Sequence, residues 1–138
     1  MPRPLLVTAA IIIKEDKILI TRRPEGSRDA GKWEFPGGKL DDNESPEECL
    51  CRELLEELNL PVTVETIFAV IHHRYTWGPV LLMAYHCTAL SGKIENIQVA
   101  EHRYVPIGSL RQYDFLEADI PIITRLINEI KKTKEQSG

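Results

Sequence analysis

The chain has 138 residues, 43% of them hydrophobic and 28% charged, with a net charge of -4. That length suits one domain spanning residues 1–138 that buries roughly two thirds of its unfolded surface without staples, and the acidic balance excludes broad binding to a nucleic-acid polymer. No apolar run approaches the roughly 20 residues of a membrane span, MPRPLLVTAAIII lacks a signal-cleavage pattern, and Cys49, Cys51 and Cys87 lack C-x-x-C spacing, so no membrane partner and a reducing, cytoplasmic setting are expected.

In chain order, Val7 to Ile13 and Lys17 to Thr21 are β-rich runs separated by KED, the pattern of a hairpin. The following RRPEGSRDAGKWEFPGGKLDDNE is rich in Gly, Pro, Asp and Asn. Structureless stretches of that length are usually functional or disordered, and Trp33 and Phe35 argue against disorder. Ser45-Pro46-Glu47-Glu48 predicts a helix start, with Ser45 as N-cap, Pro46 at the first helical position and Glu48 closing a capping box. This helix is expected to run to Leu58. Asn59 tolerates the left-handed conformation that ends helices, and Pro61 cannot continue one.

Thr63 to Tyr75 and Val80 to Leu90 predict two long strands around TWGP, too densely apolar for clean alternation and therefore buried on at least one face. A short strand near His102 to Val105 and a helix from about Asp119 to Ile130 follow, the latter with Ile122, Ile123, Leu126, Ile127 and Ile130 at amphipathic spacing. Residues 131–138 read as a frayed tail. The class is α+β.

The first helix ends in Glu56-Glu57, at the end whose partial negative charge disfavours exposed carboxylates by up to about 1 kcal/mol each. At 100° per residue Glu53, Glu56 and Glu57 share one face, while Leu50, Leu54 and Leu58 form a stripe about 110° away. Three close carboxylates repel one another, a cost that a shared proton or a bound cation offsets. The donors are all oxygens, which suits Mg²⁺ or Mn²⁺ rather than zinc. The glycines of EFPGGK let backbone groups approach such an ion and a phosphate, and Arg22, Arg23, Arg28, Lys32 and Lys39 supply positive charge for a polyanionic ligand.

From Gly38 the chain reads GKLDDNESPEECLCRELLEELNL. This resembles the Nudix box G-x5-E-x7-R-E-U-x-E-E-x-G-U, U being aliphatic, with Gly38, Glu44, Arg52, Glu53, Leu54, Glu56, Glu57 and Leu60 at the required spacing. Asn59 replaces the last glycine, a departure that touches the helix cap and not the chemistry. ITRRPEGSRDAGKWEFPGGK before the box and EADIP near the C-terminus are similar to the MutT branch of the family, which includes bacterial CTP and 8-oxo-dGTP pyrophosphohydrolases. The resemblance implies the Nudix α/β/α sandwich, a mixed β-sheet between helices.

It also implies roles. The glutamates matching Glu56 and Glu57 bind divalent metal, that matching Glu53 binds metal or activates water, and the carbonyl matching Gly37 joins the metal site. Arg52 would orient a catalytic glutamate, and Glu44 would support the loop. A further carboxylate is expected from Glu101 or, second, Glu95. Arg23 matches a family arginine near the nucleotide, Arg22 being on the opposite face, while Phe35 is a candidate for the base pocket and Trp33 for the core. Gly38 and Lys39 are candidates for the phosphates. Asp119 reads either as a nucleobase-reading residue or as the N-cap of the last helix.

The activity implied is Mg²⁺-dependent cleavage, Mn²⁺ being an alternative, of a nucleoside triphosphate to the monophosphate and pyrophosphate, by water and without a covalent intermediate. Two alternatives stay open: a Nudix hydrolase of other nucleoside diphosphate derivatives, and a non-catalytic nucleotide sensor. Oligomeric state is not readable from the sequence.

Overall fold

The computed structural model describes residues 3–137; Met1, Pro2 and Gly138, the last residue of the expected tail, lie outside the described residues. The element order is β1 (Leu5–Lys14), β2 (Lys17–Arg22), β3 (Trp33–Glu34), β4 (Gly37–Lys39), α1 (Pro46–Leu58), β5 (Val62–Tyr75), β6 (Gly78–Ala89), β7 (Glu101–Pro106) and α2 (Ile120–Ser137), with 3₁₀ turns at Ile107–Gln112 and Glu117–Asp119.

The strand β1 organises the sheet. Its first part pairs in parallel with β6 from Leu5↔Val80 to Ile12↔Cys87, and its middle pairs antiparallel with β4 at Val7↔Lys39 to Ala9↔Gly37. Its end turns into β2 through Ile13↔Ile18, the turn taking Glu15 and Asp16 to φ 52° and 65°, the left-handed pair that a tight hairpin demands. On β2, β7 pairs from Lys17↔Pro106 to Arg22↔Glu101, and β3 pairs at Thr21↔Glu34 and Arg22↔Trp33. β5 and β6 form the long antiparallel pair expected around TWGP, with register irregularities between Val64 and Ala69.

Helices cover both faces, which is why β1 reads as a continuous apolar run. Ala9 and Ile11 point to the side where Ile122, Ile123 and Leu126 of α2 pack with Trp33, Phe35 and Phe115. Ala10 and Ile12 point the other way, onto Leu50, Leu54 and Leu58 of α1. This is the mixed-sheet α/β/α sandwich.

Two features differ from expectation. The long loop contains β3 and β4, and the last helix continues through Lys131 to Ser137 where a frayed tail was expected. Lys, Glu and Gln are good helix formers without being apolar, so the end of the apolar spacing marked the end of burial and not of the helix.

Candidate active site

The helix α1 begins as its sequence dictates. The Ser45 hydroxyl accepts from the Glu48 amide at 3.1 Å, and the Glu48 carboxylate accepts from the Ser45 amide at 2.9 Å. Asn59 closes the other end at φ 50°, ψ 37°. Its amide donates to Leu55 O, and that of Leu60 to Leu54 O. With Leu50, Leu54 and Leu58 buried, the helix cannot rotate; Glu53 is fixed against Gly38 and Glu57 against the Gly37 backbone, while Glu56 stays exposed beside Arg52.

That turn explains its two glycines separately. Gly37 adopts φ 155°, and a Cβ there would collide with the Thr8 carbonyl; a Cβ on Gly38 would overlap the Glu53 carboxylate. The turn is held by the buried Thr8, whose hydroxyl donates to Gly38 O at 3.1 Å, and by Arg52, whose Nη2 donates to Lys39 O at 3.2 Å.

Arg52 is the hub of the acidic face. It grips Glu44 through Nη2 at 2.6 Å and Nε at 3.0 Å, and through Nη1 it reaches Glu53 at 2.9 Å and Glu56 at 3.2 Å. The Arg52 fork and the Asp41 amide hold the Glu44 carboxyl down to about 2, and the Glu44 carboxylate in turn raises Arg52. Glu57 sits deeper. Burial, then the charges of Glu34 and Glu53, push it up to about 9, while burial raises Glu53 against the opposing pull of Arg52. Glu53 and Glu57 also hydrogen-bond each other, the shared-proton arrangement open to a carboxylate pair.

Among the described residues no three acidic, His or Cys side chains converge as a ready cage, because Arg52 draws Glu53 and Glu56 toward itself. The donor set nonetheless fits a hard divalent cation, being oxygen throughout, and a cation beside the Gly37 backbone would relieve the repulsion from Glu34 and Glu53 that helps to raise Glu57.

Glu57, Gly37, Gly38 and Lys39 line one end of a cavity of about 290 Å³, and Phe35, Tyr75, Trp77, Leu116, Ala118 and Asp119 line its other end. Arg23 and Glu34 lie on the same wall, the Arg23 guanidinium donating to Glu34 at 3.1 and 3.4 Å. Arg22 leaves by the opposite face to pair with Glu101 at 3.3 Å. Phe35 is buried against Phe115, and Trp33 belongs to the core. Asp119, only 4% exposed, has its carboxyl raised well above the usual range by burial and then by Glu34, with the Phe35 amide pulling the other way. The side chain therefore turns into the cavity although the residue immediately precedes α2.

Glu101 is not brought to the acidic cluster. Its carboxylate is taken by Arg22 at 3.3 Å and Arg103 at 2.6 Å, and it does not line the cavity. The register of β7 causes this, setting Glu101 opposite Arg22. Glu95 instead accepts from the Asn59 side chain at 3.2 Å. Conversely, the sequence reading passed over Glu34, a carboxyl raised by burial although Arg23 opposes the rise. An acid between Trp and Phe in an apolar β-run was the available signal.

A mixed sheet between two helices, with an arginine-bound acidic helix facing a glycine turn at the mouth of a nucleotide-sized cavity, defines a Nudix-type hydrolase. The model for the NUDIX domain matches residues 8–125. The chain is 39% identical over 122 residues to the CTP pyrophosphohydrolase of Escherichia coli K12, covering 85% of this chain and 87% of that one. It is 30% identical over 131 residues to an 8-oxo-dGTP diphosphatase of Haemophilus influenzae, covering 94% and 96%. The crystal structure of the MutT protein from Methanosarcina mazei Go1 superposes with a TM-score of 0.84 at 25% identity, over 95% of this chain and 99% of that one. The chain belongs to the Nudix family and is a hydrolase of phosphoanhydride bonds.

Proposed function

We propose that this protein is a Mg²⁺-dependent nucleoside triphosphate pyrophosphohydrolase of the nucleotide-sanitising kind, taking CTP-type or 8-oxo-dGTP-type substrates, with Mn²⁺ able to replace Mg²⁺. The observation that carries the reading is that one continuous cavity is lined both by Glu57 with the glycine turn and by Phe35, Tyr75, Trp77 and Asp119. The first lining suits phosphates and the second a flat base. The names of the relatives point to the same two bases.

Glu53, Glu56, Glu57 and the Gly37 carbonyl would hold the cation, which would polarise phosphate oxygens and acidify a water. The remaining work belongs to the chain itself. Arg52 keeps Glu53 against Gly38, where Glu53 can accept the proton of the attacking water. Glu57 must give up its proton to act as a ligand. Lys39 and Gly38 receive the phosphates, and Arg23 is held for the nucleotide by Glu34 and by the Arg28 carbonyl, to which its Nε donates at 2.6 Å. Asp119 and the Phe35 ring meet the base. A nucleic-acid polymer is not proposed as the substrate, since a net charge of -4 offers no broad basic surface to hold one.

The test is chromatographic identification of the products from a panel of canonical and oxidised triphosphates, nucleoside diphosphate sugars and dinucleoside polyphosphates, with and without Mg²⁺, a triphosphate giving monophosphate and pyrophosphate and a diphosphate sugar giving monophosphate and a sugar phosphate. Mg²⁺-dependent release of pyrophosphate from CTP or 8-oxo-dGTP at the highest kcat/KM supports the reading. Preference for a diphosphate derivative, or binding without turnover, overturns it.

A further inference from the structure

The aromatic end of the nucleotide cavity is bordered by a stack that the hydrolysis reading leaves unused. Tyr75 and Trp77, on the β5–β6 hairpin, lie with ring centroids 5.2 Å apart and planes 5° from parallel. The Arg28 guanidinium lies 3.9 Å over the Trp77 ring. Tyr75 is anchored, its hydroxyl accepting from the Ala118 amide at 3.0 Å. Arg28 is not: among the described residues its side chain has no carboxylate or carbonyl partner, and its guanidinium rests on the Trp77 ring.

Behind this stack lies a second cavity of about 190 Å³. Arg28, Asp29, Tyr75, Trp77 and Leu116 line both cavities, so the stack is the partition between them. The backbone around Arg28 is pinned, since its carbonyl accepts from Arg23 and the amides of Gly31 and Lys32 donate to Arg23 O and Asp29 O. Only the exposed side chain is free to swing, through ordinary rotamers.

We propose that Arg28 is a specificity-determining gate, which on Trp77 closes the base end of the nucleotide cavity and off it admits a substituent carried by the base into the second cavity. The inference rests on the nucleotide reading above. The second cavity adds Lys32, Thr76 and Glu117 to the shared wall, so Arg28 and Lys32 share it with Asp29 and with Glu117, itself bonded to His73 at 3.0 Å, beside two aromatic rings. That lining takes a neutral planar group and gives an anion no advantage. A guanidinium stacks on an indole through its flat face as an ammonium cannot, so lysine does not substitute for this arginine.

The experiment compares metal-free affinities for dCMP and N4-benzoyl-dCMP, by calorimetry, in the wild type, Arg28→Ala, Arg28→Lys and Trp77→Phe, beside wild-type turnover on the triphosphate panel. Expected is an affinity ratio, benzoylated over plain, that rises about tenfold in Arg28→Ala and nearly as much in Arg28→Lys, with Trp77→Phe between these and the wild type. A general disturbance of the fold weakens both ligands together and leaves the ratio unmoved. Turnover with an unchanged ratio in Arg28→Ala overturns the gate alone. Wild-type Arg28→Lys behaviour overturns it too, because charge and not stacking would then be at work. Absence of both turnover and binding overturns the nucleotide reading and the gate with it.

Discussion

Replacing Glu57 by Gln keeps the length of the side chain and removes the charge that the site tolerates least. In the unfolded chain Glu57 ionises near the ordinary glutamate value of 4.5, whereas burial and then the charges of Glu34 and Glu53 push it up to about 9 in the fold. The folded state thus binds this proton more tightly than the unfolded state. The group is without penalty below about pH 4.5, and stability is lost progressively as pH rises from there to about 9. Were Glu57 to titrate alone, the cost at pH 7 would be about 3 kcal/mol. The hydrogen bond with Glu53 spreads that proton over a pair, which brings the expectation to about 1–3 kcal/mol.

Gln carries no proton to lose, so Glu57→Gln is expected to be more stable than the wild type in EDTA. For a chain of this length the gain corresponds to about 4–10 °C in Tm. Scanning calorimetry across about pH 4.5 to 9 is the assay, and the advantage of the variant grows with pH. Mg²⁺ reverses the order of benefit, raising the Tm of the wild type more than that of the variant, while turnover falls more than about 100-fold. A variant less stable than the wild type near pH 8, or an advantage that shrinks as pH rises, would refute the claim that Glu57 is a repelled, desolvated acid.

Glu56→Gln is expected to lose more than about 100-fold in kcat with Tm nearly unchanged, because the exposed pair with Arg52 is worth about 0.3–0.5 kcal/mol and relief of the repulsion between Glu56 and Glu53 returns a similar amount; near-normal turnover at saturating Mg²⁺ would remove Glu56 from the metal site. Asn59→Gly relieves the left-handed strain but loses the bond to Glu95 and adds unfolded-state freedom, so urea unfolding is expected within about 0.5 kcal/mol of the wild type and kcat unchanged. Asp119→Asn is expected to change the kcat/KM ratio of CTP to 8-oxo-dGTP by about tenfold, most strongly at alkaline pH, since an ionised Asp only accepts hydrogen bonds whereas the amide always donates as well. Equal losses on both substrates with a lower Tm would make Asp119 a structural residue alone.

The helix α1 was legible because every local signal agreed: cap, capping box, leucine stripe and left-handed stop are all consequences of residues within one or two turns of each other. The β5–β6 pair was legible for a similar reason, two long apolar runs flanking one turn. The strands β3 and β4 were not. Two residues and three residues cannot display a period, and Trp33–Glu34 and Gly37–Lys39 become strands only because β2 and β1 offer them an edge. Glu34 was hidden for a related reason, its partners Arg23, Glu57 and Asp119 being distant in sequence. Glu101 was misplaced because a one-residue choice of strand register decides which face a carboxylate meets.

Two glutamates at the carbonyl end of α1 remain a physical oddity until the partners of that end are counted. The carbonyl of Glu57 accepts from the amides of Ile97 and Gln98, and that of Leu58 from Glu95, while Asn59 and Leu60 close the turn before. The segment 95–98 thereby supplies donors where a free helix end would present unpaired carbonyls, and most of the dipole penalty on Glu56 and Glu57 disappears. What backbone donors leave in place is the repulsion among the carboxylates themselves. Arg52 answers it for Glu44, Glu53 and Glu56, but no cationic side chain among the described residues pairs with Glu57. Glu57 is therefore the carboxylate with the most to gain from an added cation. It is also the one whose neutral replacement frees the most strain, which is why stability and turnover are expected to move in opposite directions at this position.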